Sequence, residues 1–167
     1  SLTVALLATS AIAAGKGKRG GGTSSTDTTS SIVLTQDQKD TLLFIYQEEK
    51  VARDTYMTLG DLYPYEVPFQ NIQDSERKHM DAAQGLCETY GVDISKVDES
   101  AVGEFVVPAL QQLYDTLVAA GSESALEAVK VGELVEITDI NDIEHAQVGM
   151  PADVVNVFEN LKAGSYN

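Results

Sequence analysis

Apolar residues recur every three or four positions along three stretches of the chain, which is the spacing of one face of an α-helix. The first stripe consists of Leu42, Ile45, Glu49, Ala52, Tyr56 and Leu59. The second consists of Phe69, Ile72, Glu76, His79, Ala83, Leu86 and Tyr90. The third consists of Leu126, Val129, Glu133, Glu136, Ile140 and Ile143. Each stripe therefore carries ionisable residues at positions where a helix core would bury them.

Residues that start or stop helices divide the body of the chain into four core helices and one additional short helix. Helix one is predicted to begin near Thr35 or Asp37 and to end near Leu59. Helix two is predicted over 69–90, a short helix over 108–121, helix three over about 124–144, and helix four around 154–165. The long 91–124 connection predicts a crossover. The predicted fold class is all-α, a four-helix bundle with an extra short helix between helices two and three.

The buried acids of the stripes need partners, because an unpaired carboxylate in a protein core is unfavourable. Glu76 and His79 stand three residues apart, so their side chains project from the same side of helix two. This Glu-x-x-His arrangement is typical of two-metal carboxylate bundles. The alternative is a hydrogen-bonded polar layer that fixes the register of the bundle. A metal site is the favoured interpretation.

Charge is unevenly distributed along the 167 residues, whose net charge is -15. Residues 1–35 carry three basic side chains and one acidic one, giving +2, so residues 36–167 carry -17. Such an acidic body argues against nucleic acid as a partner and favours cations or basic segments of other chains. Cys87 is the only cysteine, which excludes an internal disulfide and a thiolate zinc site, and we expect it to be a buried thiol.

The first 35 residues form a segment of different composition. Residues 2–14 are apolar but too few for a membrane span of about 20 residues, and they are similar to the core of an export signal. Residues 15–31 are rich in Gly, Ser and Thr, like a linker. The alternation of Leu2, Val4 and Leu6 also permits an extended arm that adds a strand to a neighbouring subunit. We therefore expect an exported protein with either a signal or an assembly arm over 1–35, and no membrane span in the mature chain.

Two segments resemble helix motifs of the rubrerythrin and ferritin-like superfamily. Residues 49–56, EKVARDTY, resemble its first-helix motif, and residues 71–79, NIQDSERKH, resemble its second-helix motif. Residues 34–167 as a whole are similar to the ferritin-like family called domain of unknown function 2202, including the LYD of 113–115 and the VG of 131–132. The resemblance implies that residues 36–167 form one ferritin-like helical domain.

The resemblance also implies a ligand set for a pair of metal ions. It assigns Glu49 on helix one, the pair Glu76 and His79 on helix two, and Glu136 on helix three, with Asp139 as a further oxygen donor one turn on. The superfamily usually carries a second Glu-x-x-His on helix four. Here Ser165 stands where that Glu would fall, and the His would be residue 168. We therefore expect an incomplete ligand set.

Four further residues have weaker assignments. Glu133 is predicted to face inward, at the rim of the metal layer. Tyr56 and Tyr90 lie on the ligand stripes, where they would donate hydrogen bonds to ligands or simply pack in the core. His145 falls off its stripe and is predicted to be a solvated surface residue.

Two functions are compatible with these features. A site of carboxylates and imidazole suits iron, manganese or zinc, and the resemblance implies oxygen or peroxide chemistry by a non-haem di-iron oxidoreductase. The alternative is a structural subunit of an extracellular filament or other homopolymer, in which residues 1–35 join each subunit to the next.

Overall fold

The computed structural model describes residues 32–65 and 69–166, and these residues form five α-helices and no strand. The helices are α1, Gln36–Leu62; α2, Phe69–Thr89; α3, Pro108–Gly121; α4, Ala125–Ala146; and α5, Ala152–Ser165. The predicted all-helical class is confirmed for the described part of the chain.

Local sequence sets the starts of three of these helices. The Thr35 hydroxyl accepts a hydrogen bond from the backbone N–H of Gln38, and the Gln38 side chain accepts one from the backbone N–H of Thr35. This reciprocal capping starts α1 at Thr35, one of the two predicted starts. At α4 the Ser124 hydroxyl accepts a single hydrogen bond from the backbone N–H of Glu127, and Pro108 occupies the first turn of α3, where no N–H is needed.

Helix α1 packs against three other helices along its length. It contacts α2, α3 and α4, while α5 packs on α2 and α4, so that α1, α2, α5 and α4 contact one another in a closed cycle. As a result, every residue from 45 to 56 is buried, whether it is apolar or charged. The charged residues of α1 must therefore find partners inside the protein.

An apolar cluster fills the space beside these charged residues. It includes Leu42 and Ile45 of α1, Met80 of α2, and Ile143 and Phe158 of α4 and α5. Burial of each large apolar side chain contributes about 1.5 to 3 kcal/mol to the stability of the folded state. Cys87 also lies in this cluster, which confirms the prediction of a buried thiol.

The inward face of α4 differs from the predicted one. Leu126 and Val129 are 64% and 45% exposed, and Glu133 is exposed too. The buried residues of α4 are Ala128, Val131, Gly132, Val135, Asp139 and Ile143. At Gly132 a Cβ atom would meet the Tyr56 ring at 3.2 Å, so the glycine lets α4 approach α1 closely. That contact fixes the rotation of α4, and the prediction that Glu133 faces inward is wrong.

Residues 1–31 lie outside the described residues, and so do the predictions of a signal or an assembly arm there. Within the described ranges, no helix is long and apolar enough to cross a membrane.

Candidate metal centre

Three of the predicted ligands converge between α1 and α2. Glu49, Glu76 and His79 are all buried, and each offers one ligand atom within 4.8 Å of those of the other two. His79 Nδ1 lies 3.4 Å from Glu49 Oε2 and 3.3 Å from Glu76 Oε2. The two α2 residues meet because they stand three apart on one helix face.

Three polar atoms of this group lack hydrogen bonds. Both oxygens of Glu49 and the Nδ1 atom of His79 are buried without a hydrogen-bond partner. A buried polar atom left in this state is costly, and a buried charge more so. Carboxylate oxygen and imidazole nitrogen are ligands of iron, manganese and zinc, so these three side chains could hold a metal ion of that kind.

Protonation compensates part of the negative charge in the metal-free protein. Burial opposes a charge on the His79 ring, but Glu49 and Glu76 outweigh burial and raise the pKa of His79 to about 10. Burial also raises the pKa of Glu49, and the charge of Asp139 adds to that shift. At neutral pH both ring nitrogens of His79 therefore carry a proton. A metal ion would have to displace one of these protons, because imidazole binds metals in its neutral form.

Glu136 lies beside this group and is engaged by a tyrosine. The Tyr56 hydroxyl donates a short hydrogen bond to Glu136 Oε1 and lies 3.1 Å from the carbonyl oxygen of Gly132. Burial raises the pKa of Glu136 to about 7, and the hydrogen bond from Tyr56 opposes the rise. Tyr56 thus donates to a predicted ligand, as expected. Tyr90 instead donates to Asp153 and packs against the apolar cluster, which agrees with the packing alternative.

Asp139 is buried on α4 and half satisfied. Its Oδ2 atom accepts a hydrogen bond of 2.8 Å from the Ser165 hydroxyl, whereas its Oδ1 atom is buried without a partner. Burial raises the pKa of Asp139 to about 6, against the effect of the Ser165 hydrogen bond. Ser165, which stands where the resemblance would put a Glu, therefore contacts a predicted ligand.

Helix α5 also fixes the histidine ring. A Cβ atom on Gly164 would overlap the Nε2 and Cε1 atoms of His79, so only glycine allows this close approach. The ring is held with its Nε2 edge against α5 and its Nδ1 atom toward the carboxylates.

Sequence reasoning missed one acid of this region. Glu48 is 4% exposed, and neither of its carboxylate oxygens has a hydrogen-bond partner. It lies off the stripe that contains Glu49, so hydropathy alone predicts an exposed residue. It is buried because α3 and α4 residues pack around it, which is a property of the folded chain.

His145 plays no part in this group. Its side chain is exposed, and its Nδ1 atom lies 2.6 Å from the carbonyl oxygen of Asn141. The prediction of a solvated histidine is confirmed.

Comparison with known proteins agrees with the family resemblance. Residues 38–167 match the family model described as "Uncharacterized protein domain (DUF2202)". The chain is 37% identical over 135 residues to Uncharacterized protein MJ0754 of Methanocaldococcus jannaschii, covering 80% of this chain and 72% of that protein. The crystal structure of hypothetical protein MJ0754 from Methanococcus jannaschii DSM 2661 matches with a TM-score of 0.75 and 35% identity, covering 85% of this chain and 79% of that chain.

Proposed function

We propose that this chain, which belongs to the DUF2202 family, is a ferritin-like protein that binds a transition metal through Glu49, Glu76 and His79. The observation that carries the proposal is the buried Glu49 carboxylate, which faces two other ligand groups while neither of its oxygens is hydrogen-bonded. The closed cycle of α1, α2, α5 and α4 supports a ferritin-like four-helix bundle over residues 36–167, with α3 as the additional helix.

Two more residues would extend the ligand set, which still lacks the Glu-x-x-His expected on the last helix. Asp139 has a free Oδ1 atom, and Glu136 would bind once it exchanged its hydrogen bond with Tyr56 for the metal. Oxygen and nitrogen donors of this kind suit iron, manganese or zinc. A bound iron pair would supply oxygen or peroxide chemistry at this position.

The chain's own residues orient the metal ligands and shield them from water. Gly164 and the two carboxylates hold the His79 ring in one orientation, and Ser165 fixes Asp139. Tyr56 keeps a proton on its hydroxyl, because burial and the Glu136 charge raise its pKa. The apolar cluster around Ile45 and Met80 keeps bulk water away from one side of the ligands.

Metal binding to the full chain tests the proposal directly. Co²⁺ added to the metal-free protein should give the absorption bands of a nitrogen- and oxygen-bound ion and should stabilise the fold by about 2.7 kcal/mol at 100 times the dissociation constant. His79→Asn and Glu49→Gln should abolish both effects. The exposed counterparts His145→Asn and Glu133→Gln should preserve them. Unchanged Co²⁺ binding by His79→Asn would refute a metal centre at these residues.

The oxygen or peroxide chemistry needs its own measurement. The Fe²⁺-loaded chain should consume dioxygen or hydrogen peroxide faster than free Fe²⁺ at the same concentration, and Glu49→Gln should lose this difference. Equal rates with and without the protein would leave a metal-binding protein without that activity.

A structural role is the second proposal, and the charge distribution favours it. Residues 1–35 carry +2 and residues 36–167 carry -17, so the segment of one subunit is attracted to the body of another. The protein would then be exported and would assemble through residues 1–35 into a filament or homo-oligomer. Deleting residues 1–31 should leave a helical monomer, whereas the full chain should sediment as a larger species. The same oligomer from both chains would contradict this role.

A further inference from the structure

Helix α4 carries exposed apolar side chains on the side opposite to the one that packs in the bundle. Leu126, Val129 and Ile137 are each 45% to 64% exposed. The spacing of these residues places all three on one side of the helix, whereas Val131 and Val135 lie on the other side and are buried. Single exposed apolar residues are common on proteins, but three on one face of one helix indicate a surface that another protein covers.

The same face carries one basic and one acidic side chain between its apolar ends. Lys130 and Glu133 are both exposed and lie between Leu126 and Ile137 along the helix. Lys130 Nζ lies 2.6 Å from Glu127 Oε1, but the Lys130 side chain is 56% exposed and can reach a second acid. No ion pair among the described residues involves Glu133. Both charges are therefore available to a partner that covers this face.

The order of these residues is self-complementary when two α4 helices run antiparallel. A twofold axis at the middle of 131–132 sets Leu126 opposite Ile137 of a second copy, because the two residues stand equally far from the axis. The same axis sets Lys130 opposite Glu133 of the second copy, and the symmetry repeats both contacts. An axis at residue 133 would instead set two Glu133 side chains against each other, and an axis at residue 130 would do the same for Lys130. The charges therefore select one register.

We propose that the exposed face of α4 binds the same face of a second copy of this chain in an antiparallel, twofold-symmetric dimer. The face consists of Leu126, Val129, Lys130, Glu133 and Ile137. Its apolar side chains supply the affinity, and its two reciprocal ion pairs fix the register. The net charge of -17 on each body opposes association, but salt at about 0.15 M screens charges more than about 8 Å apart.

The dimer uses neither residues 1–35 nor the proposed metal ligands, so it is independent of both functions proposed above. If the structural role of residues 1–35 also holds, the two contacts add to each other. The chain without residues 1–31 then sediments as a dimer instead of the monomer expected from that role alone. The full chain then sediments as a larger assembly of dimers.

Charge reversal tests the pairing in the full chain by sedimentation equilibrium. Lys130→Glu and Glu133→Lys should each raise the dissociation constant of the dimer at least about tenfold, because each sets like charges opposite each other at both symmetric positions. The double variant, which exchanges the two charges, should dimerise as the unaltered chain does. An equimolar mixture of the two single variants should also dimerise, since each variant supplies the charge that the other lacks.

Controls make the same changes away from this face. Asp74→Lys and Lys78→Glu, at exposed positions of α2, should leave the dimer intact. Ile137→Asn removes an apolar contact without changing charge and should weaken the dimer, should a charge-reversed chain fold poorly. Val148→Asn, at a position 80% exposed just beyond α4, should not weaken it. Circular dichroism checks that each variant remains helical.

Three outcomes would overturn the proposal. The first is an unaltered chain that stays monomeric at every concentration. The second is a pair of single variants that dissociate but do not recover when they are mixed or when the two changes are combined. The third is an assembly that is lost on deleting residues 1–31 but is unchanged in Lys130→Glu and Glu133→Lys, which would leave the structural role of residues 1–35 alone. None of the altered residues is a proposed ligand, so Co²⁺ binding reports on the metal centre separately.

Discussion

Two groups of buried charges share α1 and differ in how the protein satisfies them. Lys50 Nζ donates to Asp54 Oδ2 at 2.6 Å and to the carbonyl oxygens of Ala101 and Glu104. By contrast, Glu48 and Glu49 leave every carboxylate oxygen without a hydrogen bond. Both groups are equally buried on the same helix. The unsatisfied acids therefore do not reflect loose packing of α1, and Glu49, whose ion-pair partner is the His79 ring, supports the proposed metal site.

The satisfied group holds the connection between α2 and α3. Asp54 accepts hydrogen bonds from the Arg53 side chain and from the backbone N–H of Gly103, and Lys50 Nζ lies 4.6 Å above the Phe105 ring. Gln47 accepts from two further backbone N–H groups of the same connection. These charges are partnered by the chain itself, so their role is in folding.

Removing the lysine of the satisfied group should have the largest effect. Lys50→Met leaves Asp54 buried with a single cation, and loss of one partner from a buried ion pair costs about 3 to 5 kcal/mol. Urea denaturation of the metal-free protein measures this loss. Lys130→Met, at an exposed position on α4, should change stability by about 0.5 kcal/mol at most. A loss below about 1 kcal/mol for Lys50→Met would show that the network does not hold the fold.

A methyl group at Gly164 should lower stability by an intermediate amount and should disturb the group of Glu49, Glu76 and His79. Gly164→Ala pushes against the His79 ring, and overpacking of this kind costs about 1 to 3 kcal/mol. Co²⁺ binding should weaken at the same time, because Nδ1 moves. Gly85→Ala on α2 is the matched control, since a Cβ there meets nothing within 4 Å. It should raise the free energy of unfolding by about 0.5 to 1 kcal/mol, because alanine favours a helix over glycine. Normal Co²⁺ binding by Gly164→Ala would mean that α5 does not orient the ring.

The pH dependence of the metal-free protein should show the smallest change in stability for each proton and each pH unit. Asp139 and Glu136 have pKa values raised from 3.8 to about 6 and from 4.5 to about 7, and that of His79 is raised from 6.5 to about 10. The folded state therefore binds more protons than the unfolded state, so stability falls as pH rises. The stability that the protonated Asp139 and Glu136 contribute is lost between about pH 4 and 7. The stability that the protonated His79 contributes is fully present below pH 6.5 and is lost as the pH rises toward about 10.

Each proton bound only by the folded state contributes about 1.4 kcal/mol per pH unit. Unfolding free energies measured without metal across this range should therefore decline, and saturating Co²⁺ should flatten the decline between about pH 6 and 8. Glu133→Gln should keep the slope of the unaltered chain. A metal-free protein that gains stability as the pH rises would contradict the assignment of raised pKa values to this group.

The parts of the site predicted from sequence are those that follow from one helix face. Glu49 shares its stripe with Ile45 and Tyr56, and Glu76 with His79, so the three-four spacing was enough to bring them inward. The face of α4 was predicted wrongly because apolar residues surround this helix, and two stripes compete. The close approach at Gly132 selects between them, and no local spacing encodes that contact.

The charged residues around α1 could not be predicted for a related reason. Glu48, Lys50 and Asp54 look like the solvated side of an amphipathic helix. Glu48 is buried because α3 and α4 cover it, and Lys50 and Asp54 because the connection between α2 and α3 covers them, and both depend on contacts between residues far apart in the chain. A pattern of hydropathy cannot distinguish a charge that faces water from one that faces a buried partner.

The last turn of α5 makes two contacts with the proposed ligands. Gly164 packs against the His79 ring, and Ser165 donates a hydrogen bond to Asp139. Helix ends open locally at a much lower free energy than the whole domain unfolds. We therefore expect brief fraying of this single turn to admit solvent and ions to the interior, while the other helices stay folded. Hydrogen exchange at the end of α5 would measure the rate of that opening, and slow exchange there would exclude it as an entry route. The buried carboxylates and His79 can thus be shielded from solvent at equilibrium and still be reached whenever the end of α5 opens.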